Sequence, residues 1–512
     1  MTLSAMATDY KGNLTVSING EGSTQPATIS IVENAGKYNL SILNFMLGEG
    51  ESVLPVGNIV IENVTGAVAG NLTTLYVNKN ITIQKGNVAG IADDAWLGPM
   101  LGEVPVKMSS SFNTNGFLGV NIDIDMVSTL GQVIKVTFEN VGNHFQMPNS
   151  DFETWSNENN APKHWHGFES VKGKLSGTAK SKTKLVSSKN VRPGSKGLTS
   201  AVVTSTKVFT VIANGTMTNG VLNAGSMYAA DASNHSETDL SSTSKDANGD
   251  PFATPMYAKP DSVKFWMRFT QAKAQASYPY AAFNAVITDG TYYQDPENKT
   301  YTNKVAVAAP NKADMTVGDW RLVSCPFDYA SYAANGAEAK AILLTVSTNA
   351  TPGKGSYSNG VADSVYVDDL ELVYLADIKS VSFKGATLDL TNTDIDIADD
   401  DVISASDFVV EKIGEDAKVT TLVEANAKGY QAVISVVSGD LNTQKTLVFN
   451  FNKPVWADGD VNHDGVVDLA DVTLLINKVL GADATQLYNP DVNADGKVDV
   501  ADVTTLVSLI LG

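Results

Sequence analysis

Apolar and polar residues alternate through most of this chain, in short runs broken by Gly and Asn. From Asp9 to about Asn140 the runs include Leu14, Val16 and Ile18, then Ile29 and Ile31, Ile59 to Ile61, Thr74 to Val77, Ile81 to Ile83, Val120 to Ile124 and Val133 to Phe138. A period of two puts one set of side chains on one face of a pleated strand, so the pattern is antiparallel β. About eight strands in this length predict a closed up-and-down barrel or a sandwich. Alternation returns at Lys259 to Phe269 and Asp319 to Phe327, and again at Val381 and Phe383, Phe408 to Val410, Ala432 to Val436 and Thr446 to Phe451.

Only the C-terminus changes period. Val472, Leu475, Ile476, Val479 and Leu480, then Val503, Leu506, Val507, Ile510 and Leu511, fall at helical spacing, one apolar stripe per helix. Gly481 and Gly512 follow each stripe, where a left-handed cap favours glycine. The two stripes are expected to pack together. The fold class expected from the two periods is mainly β and multidomain, with β-barrel and sandwich domains, among them a small immunoglobulin-like sandwich, followed by an α-helical module.

The segment before each helix repeats at a spacing of 31 residues. Asp460, Asn462, Asp464, Asp468 and Asp471 stand at loop positions one, three, five, nine and twelve, with Gly465 at six; Asp491, Asn493, Asp495, Asp499 and Asp502 do the same, with Gly496 at six. Calcium takes six to eight hard oxygen ligands, and a loop must turn sharply to bring them together. Position seven gives only its carbonyl, so Val466 and Lys497 serve there, Lys497 with its side chain in solvent. Val467 and Val498 suit a buried contact between the paired loops. His463, at the non-ligating fourth position, receives no role. Pro454 and Trp456 precede the first loop and Pro490 the second, so the entering helices of an EF-hand are absent.

This double loop-helix unit, with Asp at position twelve, resembles the type I dockerin over residues 458–512. The resemblance implies two calcium ions and a cohesin-like or other surface protein as partner. Positions ten and eleven carry much of the cohesin contact in cellulosomal dockerins, often as a hydroxyl pair. Here they are Leu469 with Ala470 and Val500 with Ala501, so docking is expected through these four residues without the hydroxyl pair of the cellulosomal kind.

The 512 residues exceed what one core usually supports, and three or four domains are expected. A net charge of −20 argues against nucleic acid and suits calcium. The single Cys325 excludes an intramolecular disulfide and, between Val323 and Phe327, reads as a core residue. No apolar run is long enough for a membrane span. The residues after Met1 lack a basic and apolar leader, so an exported form would carry its signal or lipid anchor upstream of Met1.

Asp9 to Gly12, a following strand and a closing Lys135 to Phe138 resemble the calycin-like β-barrel domain of gut Bacteroidetes surface proteins. Asn149 to Glu153 with Trp155, Pro162 and Trp165, closing at Val367 to Leu372, resemble jelly-roll carbohydrate-binding modules and the Bacteroidetes domain family assigned to carbohydrate metabolism. The expected domains are 1–143 barrel, 147–375 jelly roll, 376–454 spacer and 458–512 dockerin.

Sugar sites lay aromatic faces against pyranose rings. Trp155 and Trp165 are the candidates, while Trp266 and Trp320, in alternating strands, are expected in the core. Glu153 and Asp369, or Asp368 in its place, could hold one further calcium ion in the jelly roll. His164 and His166 would share a strand face but show no further ligands nearby, and read as a surface or satisfied pair. Asp231 to Asp250 is too polar to order itself and is expected as a surface loop; Asn214 to Gly225 reads as loop chemistry. No nucleophile elbow, zinc motif or phosphate loop is present, and no catalytic residue is assigned. The leading expectation is an extracellular or outer-surface protein of polysaccharide use that binds a complex glycan and docks to a partner. A hydrolase of O-glycosyl bonds and a structural or adhesive protein are the alternatives.

Overall fold

The computed structural model describes residues 7–48, 53–140, 145–156, 161–182, 185–482 and 487–512, with the Thr129 side chain also left aside. Met1 and the expected barrel boundary at 143 lie outside the described residues. The chain divides into two compact units: Met1–Val381 with Val410–Thr420 and Ile434–Thr446, and Ser382–Val409 with Thr421–Val433 and Leu447–Gly512.

In the first unit, eight antiparallel strands close a barrel in sequence order: β1 (Ala7–Ile18), β2 (Glu21–Asn34), β3 (Lys37–Leu47), β4 (Leu54–Ala69), β5 (Leu72–Thr82), β6 (Glu103–Asn113), β7 (Leu118–Met126) and β8 (Gln132–Asn140). Closure comes from β1 pairing with β8, Gly12 opposite Asn140 and Ile18 opposite Ile134. Alternation decides what fills it: Leu14, Ile29, Leu40, Ile61, Leu75, Met108 and Phe138 are buried in one cluster. Phe117, at the head of β7, packs with Leu72 of β5 against Val437 and Leu441. A Cβ on Gly119 would stand 2.1 Å from the Leu441 carbonyl oxygen, so backbone meets backbone there. Thr74 and Thr420 hydroxyls share a buried hydrogen bond of 2.6 Å. The 410–420 and 434–446 segments, within the span 376–454 expected as a spacer, therefore pack with the first unit.

Two five-stranded sheets face each other in the central region. One runs Gly318–Pro326, Ser262–Thr270, Ser364–Val373, Ser200–Thr204, Leu185–Ser188; the other has Thr216–Thr218, Ala341–Ser347, Ala282–Thr288 and Lys304–Ala308 with Thr254–Pro255 attached. Phe265 and Phe283 stack across the core, centroids 4.1 Å apart. Cys325 lies in that core.

Two sequence expectations fail here. Asp231–Asp250 is not a loose loop: Asn234–Thr238 is a strand between Val221–Ala224 and Tyr293–Asp295. Asp231, Asp239 and Asp246 each accept amide hydrogens two residues on, so the polar side chains build turns in place of a core. Asn214–Gly225 is likewise mostly strand. Asn219 is buried, its amide donating to the Ile342 carbonyl and its carbonyl accepting from the Leu344 amide.

In the second unit Phe383, Phe408 and Phe451 pack against each other, with Phe408 and Phe451 buried. Helices Leu469–Val479 and Val500–Leu511 follow. Their packing is narrower than the apolar stripes implied. Val472, Leu475 and Leu506 join Val461 in a small core, whereas Leu480 and Leu511 are 77% and 80% exposed and Ile476, Val507 and Ile510 are also exposed. Val467 touches that core; Val498 is exposed.

Candidate functional site

In the first loop Asp460 takes position one with its oxygens turned inward, accepting the Asp464 and Gly465 amides at 3.2 and 3.0 Å. Asp471, at twelve, accepts the Asn462 amide at 3.0 Å and the Asp468 amide at 2.9 Å. Asn462 accepts the Asp464 amide, and Asp464 the Val466 amide. The second loop repeats this bond for bond: Asp491 to Asp495 and Gly496, Asp502 to Asn493 and Asp499, Asp495 to Lys497. Those amides hold the Asp502 carboxyl below the usual carboxylate range, Asp499 most strongly. Gly465 and Gly496 have φ of +89° and +86°, and His463 and Ala494 at position four are left-handed as well. Two left-handed residues close together give the loop its tight curl.

The same residues start the helices. Asp468 and Asp499 cap Ala470 and Ala501, and Asp471 and Asp502 complete each capping box. Gly481 ends the first helix at φ +80°. Asp460, Asp471 and Asp502 are 3%, 0% and 0% exposed and make no ion pair with Lys or Arg among the described residues. Buried carboxylates with no countercharge fit a cation. Among the described residues no three His, Cys, Asp or Glu side chains already converge for a metal ion, so a calcium ion would gather oxygens that here lean on amides. Lys497 is exposed, and so are Leu469, Ala470, Val500 and Ala501 on the outer side of the helix starts.

His463, given no role from sequence, is the middle ring of a stack. Trp456 lies 4.5 Å from it and Tyr488 3.9 Å. Tyr488 is tied to the first loop by its amide hydrogen bond to the Val461 carbonyl.

The jelly-roll candidates are rearranged. Trp165 is 1% exposed, packed on Phe152 with its indole N–H donating to the Pro148 carbonyl, so it has no face for a sugar. Trp155 is half-buried and donates to the Phe152 carbonyl and the Thr199 hydroxyl. Trp266 and Trp320 are the opposite correction. Both lie on the outer face of the five-stranded sheet, because Phe265, Met267 and Val323 take the inner one. Trp266 belongs to a groove of about 610 Å³, with Arg192, Lys196, Lys264, Leu322 and Glu371 among its lining residues. The Arg192 guanidinium stands 5.3 Å from the Trp266 centroid and is ion-paired with Asp369.

Glu153 and Asp369 both line this groove, and each is engaged by a different group. Arg192 supplies the countercharge to Asp369, and Glu153 accepts the Leu198 and Thr199 amides at 2.9 and 2.8 Å. Asp368 is fully buried where a β-bulge breaks the pairing between Lys264 and Trp266. One of its oxygens accepts the Arg192 amide and the other has no partner. Burial, against that amide bond and beside Asp369, pushes its pKa up to about 6.

His164 and His166 are not a satisfied pair. His166 is fully buried, its Nδ1 without a hydrogen bond and 3.6 Å from Asp246, while His164 Nδ1 is 3.4 Å from Asp250. Burial depresses the His166 pKa although Asp246 and Asp250 oppose it. These carboxylates come from the segment read as a loop, too far along the chain for a local pattern to reveal.

The geometry thus defines a multidomain β protein ending in a paired calcium-loop module. Comparison with family models gives two matches: residues 6–141 match the calycin-like beta-barrel domain and residues 458–511 the dockerin type I domain. The chain carries both domains, and calcium is the ion of the second. A comparison with curated proteins finds no match. Among solved structures, a "putative outer membrane protein" from Bacteroides fragilis is 10% identical at a TM-score of 0.18, covering 67% of this chain and 96% of that one. The M60 catalytic domain of Clostridium perfringens ZmpB, with its two CBM51 domains, is 13% identical at 0.16, covering 88% of this chain and 40% of that one. At those scores neither likeness carries an argument.

Proposed function

We propose that this chain is a secreted or cell-surface protein that docks to a cohesin-like partner through its dockerin, with one calcium ion in each loop, and holds complex carbohydrate on its jelly roll. The docking half rests on the buried, unpaired carboxylates Asp460, Asp471 and Asp502 in loops whose helices leave Leu469 and Val500 74% and 66% exposed. Apolar side chains held open beside Ala470 and Ala501 offer a partner area to bury. Ligands in each loop would be the four aspartates, the Asn at position three and the position-seven carbonyl.

The carbohydrate half is supported by the groove at Trp266. Its size falls in the range of about 300–1,000 Å³ that suits small ligands, and it sets an indole and Leu322 among charged side chains. A sugar presents an apolar ring face and hydroxyls to such a mixture. A glycan array run in calcium with the full chain tests this, with Trp266→Ala alongside. Selective retention lost in the variant is expected; a folded chain that retains no glycan removes the carbohydrate half. Capture by a cohesin panel that is absent, or unaffected by chelator, would remove the docking half.

A further inference from the structure

The acidic charge of this chain has a gap in it. From residue 171 to residue 230 there are nine Lys or Arg and no Asp or Glu, within a protein of net charge −20. This segment forms the edge of the five-stranded sheet, Leu185–Ser188 and Ser200–Thr204, and the loop between them that brings Arg192 and Lys196 to the Trp266 groove. Lys264 joins them from Ser262–Thr270, across the intervening strand Ser364–Val373. Lys189 follows the edge strand, next to Asn190, whose side chain accepts from the Trp320 indole at 3.1 Å.

Charge in the groove is unevenly committed. Glu153 is engaged by two backbone amides and Asp369 by Arg192. Asp151 accepts the Glu153 amide at 3.4 Å, and Glu371 stands opposite Lys264 in the strand register without approaching it as an ion pair. Lys189, Lys196 and Lys264 make no ion pair among the described residues, and Lys189 and Lys196 are exposed. Arg192, held over the indole and by Asp369, is a positioning residue that shapes the groove. Lys196 and Lys264 remain available to an incoming anion, in a groove they share with the carboxylates of Asp151, Glu153, Asp369 and Glu371.

We propose that the groove selects an acidic glycan, one whose sugar units carry carboxylate or sulfate groups. Lys196 and Lys264 meet the anionic group, Lys189 extends the basic edge along the chain of the polysaccharide, and Glu371 and Asp151 accept from hydroxyls. This rests on the carbohydrate reading above and narrows it.

The test uses the full chain in calcium with an oligogalacturonide and its methyl ester, and with a sulfated oligosaccharide and its desulfated form, each followed by calorimetry at low and high salt. Binding to the charged member of at least one pair, at least tenfold tighter than to its neutral counterpart and weakened by salt, is expected; which pair responds separates carboxylate from sulfate. K196Q/K264Q should lose at least tenfold for the charged ligand and little for the neutral one. Equal binding of charged and neutral members overturns the acidic preference but leaves the carbohydrate reading. Binding unchanged in K196Q/K264Q, or matched by a DNA oligonucleotide of the same length, also overturns it. Failure to bind any of the four, in a chain that also retains nothing on the wider array, defeats both.

Discussion

The imidazole of His463 lies face to face with the Tyr488 ring, centroids 3.9 Å apart and planes 9° from parallel. His463 is held left-handed by the calcium loop that it sits in, and Trp456 covers its other side. The stack therefore ties the segment leading into the module to the curl of the first loop. Chelation should change the tryptophan fluorescence of the full chain, and Trp456→Phe should remove most of that change. An identical response in the variant would show that the stack does not follow the loop.

Asp471 and Asp502 serve the loop and the helix start together. Asp471→Ala should cost about 1 kcal/mol from the lost cap alone and more in calcium. Far-ultraviolet dichroism under chelator should lose the helical signal of 458–512 while the β signal stays. Helical signal that survives both treatments would refute the role given to these aspartates.

Burial sets the pH response of His166. Its folded pKa lies below the ordinary 6.5, so the unfolded chain binds the proton more readily, and stability falls as pH drops through about 6.5 toward the folded value. Melting temperature against pH should show that slope, and His166→Gln should flatten it.

Asp368 works in the other direction. Its folded pKa of about 6 lies above the ordinary 3.8, so the folded state holds the proton better. The contribution is favourable as pH falls from about 6 to 4 and is lost above it. Asp368→Asn should therefore stabilise the chain at pH 7.5, by about 1–3 kcal/mol, because an ionised carboxylate with one unpartnered oxygen is removed. A lower melting temperature in the variant would mean that the charge is needed.

Gly119→Ala should be poorly tolerated, costing several kcal/mol by order of magnitude, because the new methyl group meets a backbone oxygen that no rotamer can move. Chemical denaturation of the variant reads this directly.

The paired loop-helix repeat was legible in the sequence because a tight loop dictates spacing, and spacing is what a sequence records. The barrel was legible because its strands alternate and its neighbours are consecutive. The tryptophans were not. Phe265, Trp266 and Met267 are consecutive and apolar, so alternation says only that Trp266 faces away from its neighbours. Which face is inside is set by Phe283 on another sheet. Trp165 follows a residue with positive φ, and no period applies across such a turn. His166 and Asp246 meet through tertiary contact alone. Helical spacing gave the stripes on the two last helices, but two short helices cover only part of each other.

The cluster of Leu72, Phe117, Val437 and Leu441 bears on how this protein can be dissected. A chain cut after residue 375 would keep every barrel strand and yet uncover Leu72 and the side of Phe117 that meets Val437 and Leu441, with the Thr74 hydroxyl stripped of its partner. Such a fragment would invite self-association through a surface that the intact molecule keeps closed. Dissection that spares the 410–420 and 434–446 segments and removes only the calcium module keeps that surface covered.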